Sequence, residues 1–114
     1  MAGDLINVSK KSFVELITDF SKRERIQAQV VSDSMHPFIK KGQMISFIRI
    51  AFHTISIGDV IVFTKGRRHK IIAHRVVGTL RTRHGKGYLT KGDNCIEKDG
   101  FVVYKEDLVG KVIS

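Results

Sequence analysis

Long apolar runs are missing from this 114-residue sequence. Arg49, Gly58 and Lys65 interrupt the most apolar stretches well short of the roughly 20 residues that a membrane-spanning helix needs. The amino terminus, MAGDLINVSKKSF, lacks the basic-then-apolar layout of a secretory signal. A soluble, cytoplasmic protein is therefore expected, with peripheral contact to a membrane surface left open. Cysteine occurs only once, at Cys95, so no intrachain disulfide can form and no oxidising compartment is implied. Proline also occurs once, at Pro37. Acidic side chains are scarce, 11 against 20 lysines and arginines, and the formal charge is +9. Such a surplus suits an anionic partner such as nucleic acid or lipid headgroups, or serves solubility alone.

The length fits a single domain with one modest core. An apolar fraction of 42% places the chain among globular proteins rather than disordered ones. In KKSFVELITDFS, at 10–21, Phe13, Leu16, Ile17 and Phe20 recur at the three-and-four spacing of one helical face. One amphipathic helix is expected there, followed by a charged connection, SKRERIQ. Residues 1–25 are thus read as helix and connection, and 26–114 as a β domain. IQAQVV, MISFIRI, VIVFTK, KIIAHRVV, GYLTK, FVVY and DLVGKVI are short, rich in β-branched and aromatic residues, and separated by glycine or polar clusters. The fold class expected is mainly β, a compact barrel or sandwich. GRRHK at 66–70 and RTRHGKG at 81–87 fall between strands and read as hairpin connections with solvated basic charge. No aromatics interleave with them as a base-stacking platform requires, which argues against nucleic acid.

The lone proline sits in VSDSMHPFIKK, just past a strand-like segment, where it forces the backbone to turn and puts Ser34 at a bend. Ser32, Asp33 and Ser34 are ordinary turn formers, and a serine hydroxyl becomes a useful nucleophile only when a base takes its proton. Of the five histidines, His36 is too near Ser34 in sequence to face it easily, and His53, His69 and His84 lie in polar or loop contexts. His74 interrupts the apolar strand KIIAHRVVG, on the same face as Ile72 and Val76 by alternation. Burial there disfavours the charged imidazolium and leaves a ring able to accept a proton. Its other nitrogen then needs an acceptor, and LTKGDNCIEKDGF supplies Asp93, Glu97 and Asp99, among which composition does not choose. No His or Cys pair has zinc-like spacing, so neither a metal nor another cofactor is expected.

SDSMHP at 32–37, GDVIVF at 58–63, AHRVVG at 73–78, TKGDN at 90–94 and then Asp99 occur in the order and approximate spacing of the type I signal peptidase family. The chain resembles that family's endoplasmic-reticulum and archaeal branch, which has histidine where the common bacterial enzymes have lysine. The resemblance runs over about residues 28–113, and DLVGKV at 107–112 looks like the closing strand of the catalytic core. It implies a serine endopeptidase that removes a leader or signal-like segment from a preprotein or precursor peptide. Ser34 matches the nucleophile, His74 the general base and Asp99 the acid that assists it. Ser32, with the Ser34 backbone N–H, matches the proposed oxyanion hole. Asp93, Met35, Pro37 and Arg75 fall at supporting positions. Partners implied are the peptide substrate and export or maturation machinery.

Three departures accompany the resemblance. Family members that process exported preproteins carry a membrane anchor before the first box, where this chain has the amphipathic helix and its charged connection. Asp33 replaces the usual glycine between the two serines, and Cys95 stands where the branch often has asparagine, a place that suits a small packing thiol. Two other readings compete: a regulator with the related self-cleaving repressor core, against which His74 argues, and a noncatalytic basic β-barrel that binds nucleic acid.

Overall fold

In the computed structural model, which describes residues 6–7, 25–66 and 70–113, the β-rich segments pair into one antiparallel sheet. The strands are β1 (Ile6–Asn7), β2 (Ile26–Val30), β3 (Met44–Ile48), β4 (Val60–Lys65), β5 (Lys70–Thr82), β6 (Gly85–Lys91) and β7 (Leu108–Val112). They lie in the order β1-β2-β3-β7-β4-β5-β6. The two-residue β1 meets Gln29 and Val30 at the edge of β2, and it also approaches β5, so the sheet curls on itself as a barrel-like fold does. The mainly β fold class expected from the sequence is the one observed.

Strand composition follows from how many faces each strand buries. β2 alternates, with Ile26, Ala28 and Val30 inside and Gln27 and Gln29 in solvent. β4 is apolar through four consecutive residues because both of its faces are covered. Val60 and Val62 join Ala28, Met35, Ile45 and Phe47 in one core, while Ile61 and Phe63 join Ile72, Val76, Tyr88 and Val103 in a second.

Three sequence expectations meet a different outcome. FVVY is not a strand: only Val103 pairs, with Tyr88 of β6, through two backbone bonds of 2.8 and 2.9 Å. The following residues turn at once into a 3-10 turn, Lys105–Asp107. That close approach also depends on Gly87, where a Cβ would stand 2.1 Å from Val102 Cγ1. RTRHGKG is mostly strand, since β5 runs to Thr82 and β6 resumes at Gly85, leaving only Arg83 and His84 as the hairpin tip. Ile6 and Asn7 pair as strand inside a segment read as helix and connection. The helix expected over 10–21 and residues 67–69 of the other basic connection lie outside the described residues. Among the described residues no helix is long and apolar enough to cross a membrane.

Tyr88 is fully buried, and its hydroxyl donates towards the carbonyls of Phe52 (2.8 Å) and Ile55 (3.2 Å). Burial pushes the phenol above its ordinary pKa of 10.0, with Asp59 adding to the shift. The folded state therefore holds this proton more tightly than the unfolded chain. The stabilisation it contributes is complete below pH 10 and is lost as pH rises through the folded-state pKa. Tyr88→Phe is expected to cost about 1 kcal/mol at neutral pH and to flatten the alkaline loss of stability, both readable from urea unfolding at a series of pH values.

Candidate active site

Three segments remote in sequence converge here. Ser34 lies in the connection between β2 and β3, and its neighbours Met35 (0% exposed) and Ile39 (1%) are driven into the first core. The amide of His36 donates to Asp33 O and that of Ile39 to Met35 O, so the connection is a tight turn, with a cis peptide at His36–Pro37. A second turn, at 92–95, braces it from outside. The Asn94 amide donates to the Ser34 carbonyl at 2.8 Å, and Asn94 Nδ2 donates to Asp33 O at 3.1 Å.

His74 projects from the middle of β5, opposite Ile61 of β4, on the face of the second core. It is 1% exposed, and the edge of Phe63 faces it at 6.5 Å between ring centres. Asp99 lies in the irregular segment between β6 and β7. Ser34 Oγ is 2.9 Å from His74 Nε2, and His74 Nδ1 is 2.6 Å from Asp99 Oδ2. A carboxylate only accepts, so the second contact makes Nδ1 the protonated nitrogen. In the neutral ring Nε2 then keeps a lone pair that faces the serine hydroxyl. This is the series hydroxyl, imidazole, carboxylate, with the imidazole almost wholly removed from water.

Ser32 Oγ lies 3.5 Å from the Ser34 amide nitrogen, a long contact at the limit of hydrogen bonding. Asp33 is exposed on the outer side of the turn. Arg75, next after His74, points to the opposite face and makes a two-pronged contact with Asp93, Nε to Oδ1 at 2.9 Å and Nη2 to Oδ2 at 2.8 Å. Its Nη1 donates to Gly58 O at 2.7 Å, and Phe38 lies 4.5 Å beneath the guanidinium. The hydrogen bonds that Arg75 donates to Asp93 raise the Arg75 pKa; burial opposes this, and the carboxylate's charge adds to it. One side chain thereby ties the Ser34 connection, the turn before β4 and the 92–95 turn together. Asp93→Ala is expected to cost about 1 to 2 kcal/mol in denaturant unfolding. Arg75→Lys should not be neutral, since an ammonium cannot reproduce the fork.

Of the residues singled out from the sequence, Ser34, His74 and Asp99 meet in series, Ser32 flanks the first, Met35 anchors it from below, and Pro37 shapes the turn. Arg75 and Asp93 brace the periphery. Asp99 is the acid on the ring, while Glu97 is exposed and Asp93 is engaged with Arg75. Among the described residues, no cluster of three or more His, Cys, Asp or Glu side chains could hold a metal ion.

Sequence reasoning passed over Thr90 and Gly92. Thr90 Oγ1 donates to Asp99 Oδ2 at 2.7 Å. A Cβ on Gly92 would lie 2.7 Å from Ser34 O, 2.8 Å from Cys95 Sγ and 3.1 Å from His74 Nε2. Both belong to the TKGDN box, which was the only signal pointing to them.

Among curated proteins, the chain is 35% identical over 94 residues to the signal peptidase complex catalytic subunit SEC11 of Clavispora lusitaniae. It is 31% identical over 91 residues to the subunit of the same name in Candida albicans. Each alignment takes in 73% of this chain and 54% of the relative, so the chain spans about half the length of the curated relatives it matches. No family model matches the chain, and no solved structure gives a significant match. The ordered sequence boxes, the β fold and this relationship agree: the chain belongs to the type I signal peptidase family, on the side of its endoplasmic-reticulum-type catalytic subunits.

Proposed function

We propose that the protein is a serine endopeptidase that cleaves a leader or signal-like segment from a precursor protein or peptide, with Ser34 as nucleophile, His74 as general base and Asp99 as the acid that orients it. The observation that carries this reading is the unbroken series of contacts, 2.9 Å from Ser34 Oγ to His74 Nε2 and 2.6 Å from His74 Nδ1 to Asp99 Oδ2.

Ser34 Oγ attacks the scissile carbonyl carbon while its proton passes to His74 Nε2. The carbonyl oxygen becomes an oxyanion and accepts from the Ser34 N–H and from the Ser32 hydroxyl, which turns from accepting to donating. Two donors that converge on the oxyanion lower this barrier by about 3 kcal/mol. As the tetrahedral species collapses, the C–N bond breaks and His74 returns the proton to the leaving amine. Water, deprotonated by the same imidazole, then frees the acyl group and regenerates Ser34. Asp99 holds the Nδ1–H tautomer and stabilises the imidazolium that forms in each half.

The relatives carry the name of a catalytic subunit in a signal peptidase complex. By extension the substrate here is an extended peptide with a precursor's leader, delivered by export or maturation machinery. Incubating the purified chain with synthetic peptides that span a secretory leader and its junction, and locating the cut by mass, tests the assignment. One internal cut at the junction is expected. Intact peptides across the whole set, at high enzyme concentration, would count against it.

A further inference from the structure

Asp99 sits in an awkward place for a residue that must aim an imidazole. The segment from Gly92 to Val102 belongs to no strand, and its neighbours Ile96, Glu97, Lys98 and Gly100 are all exposed, Ile96 at 97%. Phe101 of that stretch packs against the second core, and the Asp99 side chain itself is 14% exposed. Among the described residues, its only hydrogen-bond partners besides His74 come from one residue, Thr90. Thr90 belongs to β6, opposite Val76 of β5, and is fully buried. It holds Asp99 at two points: its hydroxyl donates to Asp99 Oδ2 at 2.7 Å, and its carbonyl accepts the Asp99 amide at 2.8 Å. The hydroxyl bond goes to the same oxygen that receives His74 Nδ1.

We infer that Thr90 is a positioning residue for the His74–Asp99 pair. It transfers the rigidity of the β5–β6 ladder to a carboxylate carried on an irregular segment, and it selects which carboxylate oxygen faces the ring. The backbone bond from Thr90 fixes where Asp99 begins. The hydroxyl fixes its side-chain rotation, because an oxygen already bound at 2.7 Å cannot swing away without losing that bond. Without the hydroxyl, Asp99 can rotate towards solvent, since the residue is partly exposed. His74 then loses the partner that keeps its proton on Nδ1. This inference rests on the peptidase reading for its catalytic consequence, but the geometric part stands apart from activity.

The test therefore has two arms. Thr90→Val keeps the shape and removes the hydroxyl, and Thr90→Ser restores it. In proton NMR of the full chain, the His74 Nδ1 proton should give a far-downfield resonance in wild type, in Thr90→Ser and in Ser34→Ala. It should be broadened or lost in Thr90→Val and absent in Asp99→Ala. An unchanged resonance in Thr90→Val overturns the inference. In the second arm, cleavage of a synthetic leader peptide should fall about tenfold in kcat for Thr90→Val, the worth of one net hydrogen bond, with KM little changed and with rescue by serine. Thr90→Val should have no further effect in an Asp99→Ala background, because it acts through Asp99. Equal tenfold losses in both backgrounds would assign Thr90 a general structural role and refute the proposal. If Thr90→Val does not fold, Thr90→Ala carries the same comparisons. Undiminished cleavage by Ser34→Ala would refute the peptidase reading while leaving the resonance arm intact, so the two failures are distinguishable.

Discussion

Ser34→Ala is expected to lower kcat/KM for a leader-bearing peptide by about 10,000-fold or more, with the fold intact. Ser34 Oγ is the atom that would bond to the acyl carbon, and an alanine methyl offers nothing in its place. Binding and the oxyanion donors remain, which is why a residual rate above that of water should survive. His74→Ala should cost about as much, and the double variant should be no worse than either single one, because a nucleophile without its base and a base without its nucleophile fail for the same reason. The three variants, compared with wild type by mass detection of product, give the measurement. Their melting temperatures show whether the fold is retained. Full additivity of the two losses would mean that Ser34 and His74 do not act as a unit.

The second large effect is expected at Gly92. Alanine there would put a methyl carbon 2.7 Å from the Ser34 carbonyl oxygen, which Asn94 holds through its amide, and 3.1 Å from His74 Nε2. The Cys95 thiol at 2.8 Å is a side chain and can rotate aside, but the backbone oxygen moves only if the whole turn moves. Overpacking of this kind costs about 1 to 3 kcal/mol. The displaced turn is the one that sets the Ser34 hydroxyl against the imidazole, so cleavage should fall together with stability. Gly92→Ala/Cys95→Ala separates the two causes: relief of the thiol contact alone should leave the rate low. A Gly92→Ala protein with wild-type melting temperature and turnover would show that the close packing of the two turns is not required.

Much of this arrangement was legible in the residues, and the gaps have physical reasons. His74 could be placed by alternation alone, because a strand repeats every two residues and Ile72, His74 and Val76 must share a face; the ring is indeed buried there. The bend at Ser34 followed from the proline, since a strand cannot continue through it, while its part as nucleophile was implied only by the family resemblance. Asp99 was different. Asp93, Glu97 and Asp99 sit in a segment without periodicity, so spacing could not rank them, and only the family resemblance pointed to Asp99. The structure separates them through contacts that no local rule encodes: Arg75 takes Asp93, and Thr90 holds Asp99 on His74. Thr90 itself reads as an ordinary strand threonine until its partner is known. FVVY has strand composition, yet only Val103 finds a partner, because β propensity does not supply a neighbouring edge to pair with. Asp33, in the position where the family usually has glycine, is accommodated with its side chain in solvent.

A covalent intermediate tests the central claim most directly. Wild-type protein mixed with a leader peptide, quenched in acid during the first turnovers and weighed intact, should carry an added mass equal to the acyl half of the substrate. Peptide mapping should place that mass on Ser34. Continued cleavage with no acyl adduct on Ser34, accompanied by undiminished turnover in Ser34→Ala, would contradict the account.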